Sequence, residues 1–69
     1  MSGGVYKMTE VVGTSPKSFA DAVNEAVKRA SKTVRGISWF EVQELRGAVK
    51  DGQVSEYQVK VKLGFKLED

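Results

Sequence analysis

The sequence has no cysteine, no histidine, a single proline and a single tryptophan in 69 residues. Without cysteine there is no disulfide framework and no thiol nucleophile. Without either residue there is no Cys/His zinc site, no imidazole base and no Ser-His-Asp triad. Acid–base chemistry would fall to carboxylates, lysine or tyrosine, and nothing in the chain supplies a second-substrate pocket or an acid–base pair. The expectation is a protein that is not an enzyme and holds no metal. No apolar run approaches the length needed to cross a bilayer, and no signal-peptide pattern is visible. A cytoplasmic location with no membrane partner is therefore expected. A net charge of +2 is too small to argue for a polyanion partner. A single domain of this size buries only about 60% of the surface its unfolded chain exposes. With no disulfide or Cys/His metal site to make up the shortfall, self-association is the first source of stability to expect.

Residues 1–4 read as a small, polar, flexible N-terminus, and 5–69 as one domain. Val5–Val12, rich in Val, Tyr and Thr, is a strand ended by Gly13 and Thr14. Ser15-Pro16 marks a helix start, with Ser15 as N-cap and Pro16 at the first helical position. Phe19, Ala20, Val23, Ala26, Val27, Ala30 and Val34 recur at spacings of three and four, one face of a helix. Acidic residues lie early and basic residues late, as the helix dipole favours. Gly36 would terminate a helix of about 20 residues.

Ile37–Lys50 and Gln53–Leu67 are two long strands joined by Asp51-Gly52, a pair suited to a two-residue type I′ turn. In a straight ladder Val42 then faces Val61, Phe40 faces Leu63, and Glu44 faces Val59. Phe40, Val42, Tyr57, Val59, Val61, Leu63 and Phe65 form the face assigned to the helix. Trp39, Glu41, Gln43, Leu45, Gln58, Lys60, Lys62 and Lys66 fall on the other, with Glu41 opposite Lys62. Parity places Glu41 and Glu44 on opposite faces, so they are not a carboxylate dyad. The order strand, helix, strand, strand gives an α+β fold: a β-α-β-β protomer whose three-stranded antiparallel sheet wraps one helix. Such a layer pair leaves a sheet face and its edges open.

On that outer face the lone Trp39 sits opposite Gly64, with Lys66 a diagonal neighbour. Position alone is compatible with a subunit contact or with a platform for a flat ligand. Gln58 carries a carboxamide, able to read a ring edge that alternates donors and acceptors, or simply to face solvent. The ladder separates it from Trp39 by about 20 Å. One protomer cannot bring both onto one small ligand; two chains, or a bulge, would be needed.

The stretch VYKMTEVVGTSP, a helix, SWFEVQELRG and then EYQVKVKLGFKLED resembles the dodecins, small flavin-binding proteins, over Val5 to Asp69. The resemblance implies a hollow homododecamer holding flavins in pairs between protomers. It implies that the Trp39 indole stacks on the isoalloxazine, that Gln58 hydrogen-bonds the ring, and that Arg46 lies near the flavin. Lys66 stands where bacterial relatives often carry arginine, keeping the charge without the bidentate fork. The straight ladder, however, puts Arg46 on the helix side; either a bulge changes its face or it reaches past the end of the helix layer. Arg and Lys near a terminal phosphate favour FMN over riboflavin as ligand. The implied role is flavin storage and photoprotective quenching by electron donation from indole to the excited flavin. Some bacterial dodecins also bind coenzyme A, for which Lys7, Arg29, Thr33 and Arg35 are the matching candidates.

Two other classes compete. Lys28, Arg29, Lys32 and Arg35 could contact phosphates in a small nucleic-acid-binding module. The interleaved Asp21 and Glu25, and the single outer-face aromatic, argue against a nucleic-acid partner. The third class is a structural oligomer without ligand.

Overall fold

The computed structural model describes residues 3–67. Its elements are β1 (Tyr6–Ser15), α1 (Phe19–Ala30), β2 (Ile37–Lys50) and β3 (Gln53–Lys66). The expected β-α-β-β order and the three-stranded antiparallel sheet are present, with strand order β1-β3-β2. The β2–β3 turn has positive φ at both Asp51 (53°) and Gly52 (75°), as a type I′ turn requires.

The helix is shorter than its apolar spacing suggests and begins later. Ser15 does not cap it: Ser15 is the last residue of β1, paired with Tyr57 and buried. Its hydroxyl donates to Asp21 Oδ2 at 2.7 Å and accepts from the Lys17 amide at 2.9 Å. Ser18 is the N-cap, its Oγ accepting from the Asp21 amide at 3.0 Å. A serine three residues from the true cap thus ties the strand end to the first helical turn. At the other end the amides of Lys32 and Thr33 donate to the carbonyls of Arg29 and Ala30, the tightened pattern of a helix running out. Gly36, at φ 74°, turns the chain into β2 instead of closing the helix.

The core is Ala22, Ala26, Val59, Val61 and Leu63, with Val11, Val23, Val27, Ala30 and Ile37 packed around it. Ala22, absent from the expected stripe, is fully buried, while Ala20 is exposed. Close approach explains this choice. A Cβ on Gly13 would lie 2.1 Å from the Ala22 carbonyl oxygen and 2.9 Å from the Ala26 Cβ. Small residues on both sides let α1 sit directly on β1.

The helix covers β1 and β3 but not the hairpin's outer strand. Phe40 and Val42 do oppose Leu63 and Val61, yet they are 51% and 43% exposed. Assigning them to a helix-covered face is therefore corrected: they share that face without its cover. The hairpin runs on past the helix, and the molecule measures 56 × 20 × 14 Å. Its radius of gyration, 14.4 Å, exceeds the roughly 11 Å of a compact domain of this length.

The straight ladder is corrected at three places. Ser38 and Gln43 on β2 and Ser55 on β3 are left unopposed by β-bulges. From Glu44 to Ala48, β2 is therefore shifted by one residue against β3. Leu45, not Glu44, faces Val59; Glu44 faces Lys60; Arg46 faces Gln58. Leu45 moves to the helix-side face. Glu44 and Arg46 move to the outer one, and Glu41 and Glu44, expected on opposite faces, share it.

Candidate functional site

The outer face is read across three strands. Tyr6, Met8, Glu10, Val12 and Thr14 of β1 oppose Lys66, Gly64, Lys62, Lys60 and Gln58 of β3. Trp39, Glu41, Glu44 and Arg46 of β2 complete the rows. Two distinct ends result.

At one end Trp39 lies across Gly64. A Cβ built on Gly64 would come within 2.1 Å of Trp39 Cε2, 2.2 Å of Cζ2 and 2.6 Å of Cδ2. The indole thus occupies the space a side chain at 64 would need, with one ring face against the backbone. Tyr6 braces it, ring centroids 5.0 Å apart at 52°. Trp39 remains 40% exposed. The arrangement is a flat, electron-rich surface backed by protein and open outward. Lys66, paired with Tyr6, is exposed beside it.

At the other end Arg46 and Gln58 are directly opposed. Arg46 Nε donates to Gln58 Oε1 at 3.3 Å, and Gln58 Nε2 donates to Glu56 Oε1 at 2.9 Å. Arg46 Nη1 is 3.4 Å from Glu44 Oε1. The carboxamide is thereby oriented, its oxygen toward the cation and its amide toward a carboxylate. The bulge at Ser55 sets this pairing, and the bulge at Gln43 sets its relation to Trp39. Trp39 and Arg46 are seven positions apart, an odd step that a straight strand would send to opposite faces. The expected conflict over Arg46 is resolved by the two bulges and not by reach past the helix. Gly64 and Gln58 are still six positions apart on β3, about 20 Å along the strand. Within one chain the two ends stay apart. Between them runs a charged band, with Lys60 Nζ 3.8 Å from Glu10 Oε1 and Glu41 opposite Lys62.

The remaining candidates do not converge. Arg29 borders a cavity of about 360 Å³ between the free edge of β1 and α1, lined also by Gly13, Thr14 and Glu25. Thr33 and Arg35 border a shallower depression of about 290 Å³ that Phe65 and Lys66 share. Lys7 pairs with Phe65 on the helix-side face and lines neither. Among the described residues no group of three acidic side chains is placed to hold a metal ion, and no helix is long and apolar enough to cross a membrane.

Sequence reasoning overlooked Tyr6 as part of the Trp39 end. The β1–β3 register that brings it there is set by a long crossover and not by a tight turn, so it could not be counted out by hand. It raised a bulge as one way to bring Arg46 to the outer face but did not place the three bulges; Gly47 lies in the shifted segment, and glycine inside a strand often marks a bulge or close backbone approach. A Cβ there would lie 2.6 Å from the Glu56 carbonyl oxygen.

The family model described as Dodecin matches residues 5–68. A curated dodecin from Thermus thermophilus is 48% identical over 67 residues, covering 97% of each chain. The structure of dodecin from Streptomyces coelicolor superposes with a TM-score of 0.94 at 55% identity, covering 100% of this chain and 99% of that one. A more distant relative, calcium dodecin from Mycobacterium tuberculosis, is 38% identical over 91% of this chain and 89% of its own. Its crystal structure, described as having a novel calcium-binding site, gives a TM-score of 0.81, covering 93% of this chain and 91% of that one.

Proposed function

This chain belongs to the dodecin family, and we propose that it binds, stores and photoprotectively quenches FMN, without catalysis, as a homododecamer. The observation that carries the reading is the Trp39 indole, laid on Gly64 with one face open. Oxidised isoalloxazine is flat and electron-poor; indole is flat and electron-rich. Stacking of this kind is worth about 1–3 kcal/mol per ring, on the scale known for bases. Gln58 offers an oriented carboxamide to the pyrimidine edge of the ring, and Arg46 and Lys66 offer cations to a terminal phosphate. Because the two ends of the outer face lie about 20 Å apart, a ligand touching both takes Trp39 from one protomer and Gln58 from another. The exposed Phe40, Val42 and Leu45 on the helix-side face of β2, at 51%, 43% and 57%, give the chain apolar surface to bury in such an assembly. Riboflavin fits the same platform without the phosphate contacts. Coenzyme A belongs to the same reading, with Arg29, Thr33, Arg35 and Lys7 as phosphate contacts contributed by more than one chain. The cytoplasm is its proposed location.

The test is a titration of FMN with apo-protein, following flavin emission. Wild-type protein should extinguish it, and Trp39→Ala should bind more weakly and restore emission to whatever flavin stays bound. Unchanged affinity together with unchanged quenching in that variant would remove the indole from the mechanism.

A further inference from the structure

We infer that Tyr6 is the positioning residue of the Trp39 indole. It locks the plane of the stacking surface before any ligand arrives. The geometry is unusual in spanning three strands. Tyr6 is on β1 and Trp39 on β2, which lie on opposite sides of β3. Two strands flanking a third stand about 9.6 Å apart, yet the two ring centroids are 5.0 Å apart. Both rings therefore lean inward over the central strand. They can do so because residue 64 is glycine: its Cβ would occupy the place of Trp39 Cε2 and Cζ2.

Gly64 alone does not fix the indole. A flat backbone supports one ring face but leaves the ring free to slide or swing. Tyr6, tilted at 52° to it, blocks that motion from the β1 side. Tyr6 has support of its own, since it pairs with Lys66 and its ring edge adjoins Gly4. A Cβ on Gly4 would sit 3.7 Å from Tyr6 Cε1 and 3.1 Å from Lys66 Cε. The flavin reading enters only at the functional consequence. An indole already immobilised costs a stacking ligand nothing to order. Releasing it should weaken FMN binding about 2- to 12-fold, the usual cost of immobilising one side chain.

The experiment compares wild type, Tyr6→Phe and Tyr6→Val. Phenylalanine keeps the ring; valine removes it while suiting an exposed edge strand. Since Trp39 is the single tryptophan, circular dichroism in the indole band at wavelengths beyond tyrosine absorption, and time-resolved anisotropy of indole fluorescence, report this one ring in flavin-free protein. Tyr6→Phe should match wild type. Tyr6→Val should lose the indole dichroism, gain fast local depolarisation and bind FMN about 2- to 12-fold more weakly. The inference is overturned if Tyr6→Val keeps wild-type dichroism and anisotropy, or if its FMN affinity is unchanged despite a freed ring. It is also overturned if wild-type Trp39 already depolarises fast, a measurement that needs no variant. Wild-type protein that binds no FMN would sink the flavin reading instead, while the ligand-free signals still judge Tyr6.

Discussion

Gly64→Ala is the sharpest single perturbation of the Trp39 surface, because the three atoms the added Cβ would meet first all belong to the indole. Gly64 is buried in the central strand, opposed by Met8 and Trp39, and alanine is at home in such a backbone. The new Cβ would begin 2.1 Å from Trp39 Cε2, whereas ordinary contact begins near 3.4 Å, so the ring must retreat by about 1.3 Å. The obstruction is a side chain with one open face, so it yields outward. The stability cost should fall at the low end of the roughly 1–3 kcal/mol seen for overpacking. At about 1 kcal/mol the melting midpoint of a domain this size drops by about 4–8 °C. Binding should suffer more. An indole lifted from its support and pushed off Tyr6 forfeits much of a stacking contact worth about 1–3 kcal/mol, a loss of about 5- to 150-fold in FMN affinity. Emission quenching during titration measures the affinity, and thermal melts at equal protomer concentration measure the stability, since assembly makes the midpoint concentration-dependent. Wild-type affinity in a folded Gly64→Ala protein would refute the claim that the indole must lie on residue 64 to serve as the platform.

Three other outcomes follow from the same packing. Gly13→Ala drives a Cβ to 2.1 Å from the backbone oxygen of Ala22; backbone cannot swing aside as Trp39 can, so its melting midpoint should fall further than that of Gly64→Ala. Ser15→Ala leaves the Lys17 N–H without its acceptor and the Asp21 carboxylate without its donor, both part-buried, about 1–3 kcal/mol, whereas Ser18→Ala removes a cap worth about 1 kcal/mol. Denaturant melts should rank Ser15→Ala as the more damaging, and the opposite order would return the capping role to Ser15. Gln58→Ala should weaken FMN binding without restoring emission, because the quenching ring is untouched; full return of emission would break that division of roles.

How much of this was legible depends on which physical signal set each element. Asp51-Gly52 dictates its own backbone conformation, so the hairpin was legible from the turn, while the Trp39–Gly64 and Val42–Val61 pairs match the straight count because the bulges at Ser55 and Gln43, on opposite strands, cancel. The helix end could not be placed by motif. Ser15-Pro16 and Ser18 both carry cap chemistry, and the sheet pairing of Ser15 with Tyr57 decided between them. Helix length failed for a related reason: Val34 continues the apolar spacing, but the chain beyond Ala30 must turn back toward β2. Burial of Phe40 and Val42 failed because alternation reports which face a side chain takes, not whether anything within the same chain covers it. The family resemblance pointed to Arg46, and the straight ladder pointed away from it. Two bulges reconcile them: the one at Ser55 brings Arg46 opposite Gln58, and the one at Gln43 returns Trp39 to Gly64 on the same face.

The shifted register at Arg46, set by the bulge at Ser55, can be tested without a structure, because the chain has no cysteine to confuse the result. Opposed residues of an antiparallel pair have Cα atoms about 4.5–5.5 Å apart and side chains on one face, within the range a disulfide spans. Arg46→Cys with Gln58→Cys should therefore oxidise to an intramolecular bridge. Leu45→Cys with Gln58→Cys is the pair a straight ladder would oppose. With the bulge the two side chains point to opposite faces of the sheet, and no bridge can close without breaking the ladder. Non-reducing electrophoresis after mild oxidation separates the intramolecular product from any link between chains by mass. Efficient closure of the Leu45/Gln58 pair, with none at Arg46/Gln58, would restore the straight register. It would return Arg46 to the helix-side face and detach the cation from the carboxamide it now orients.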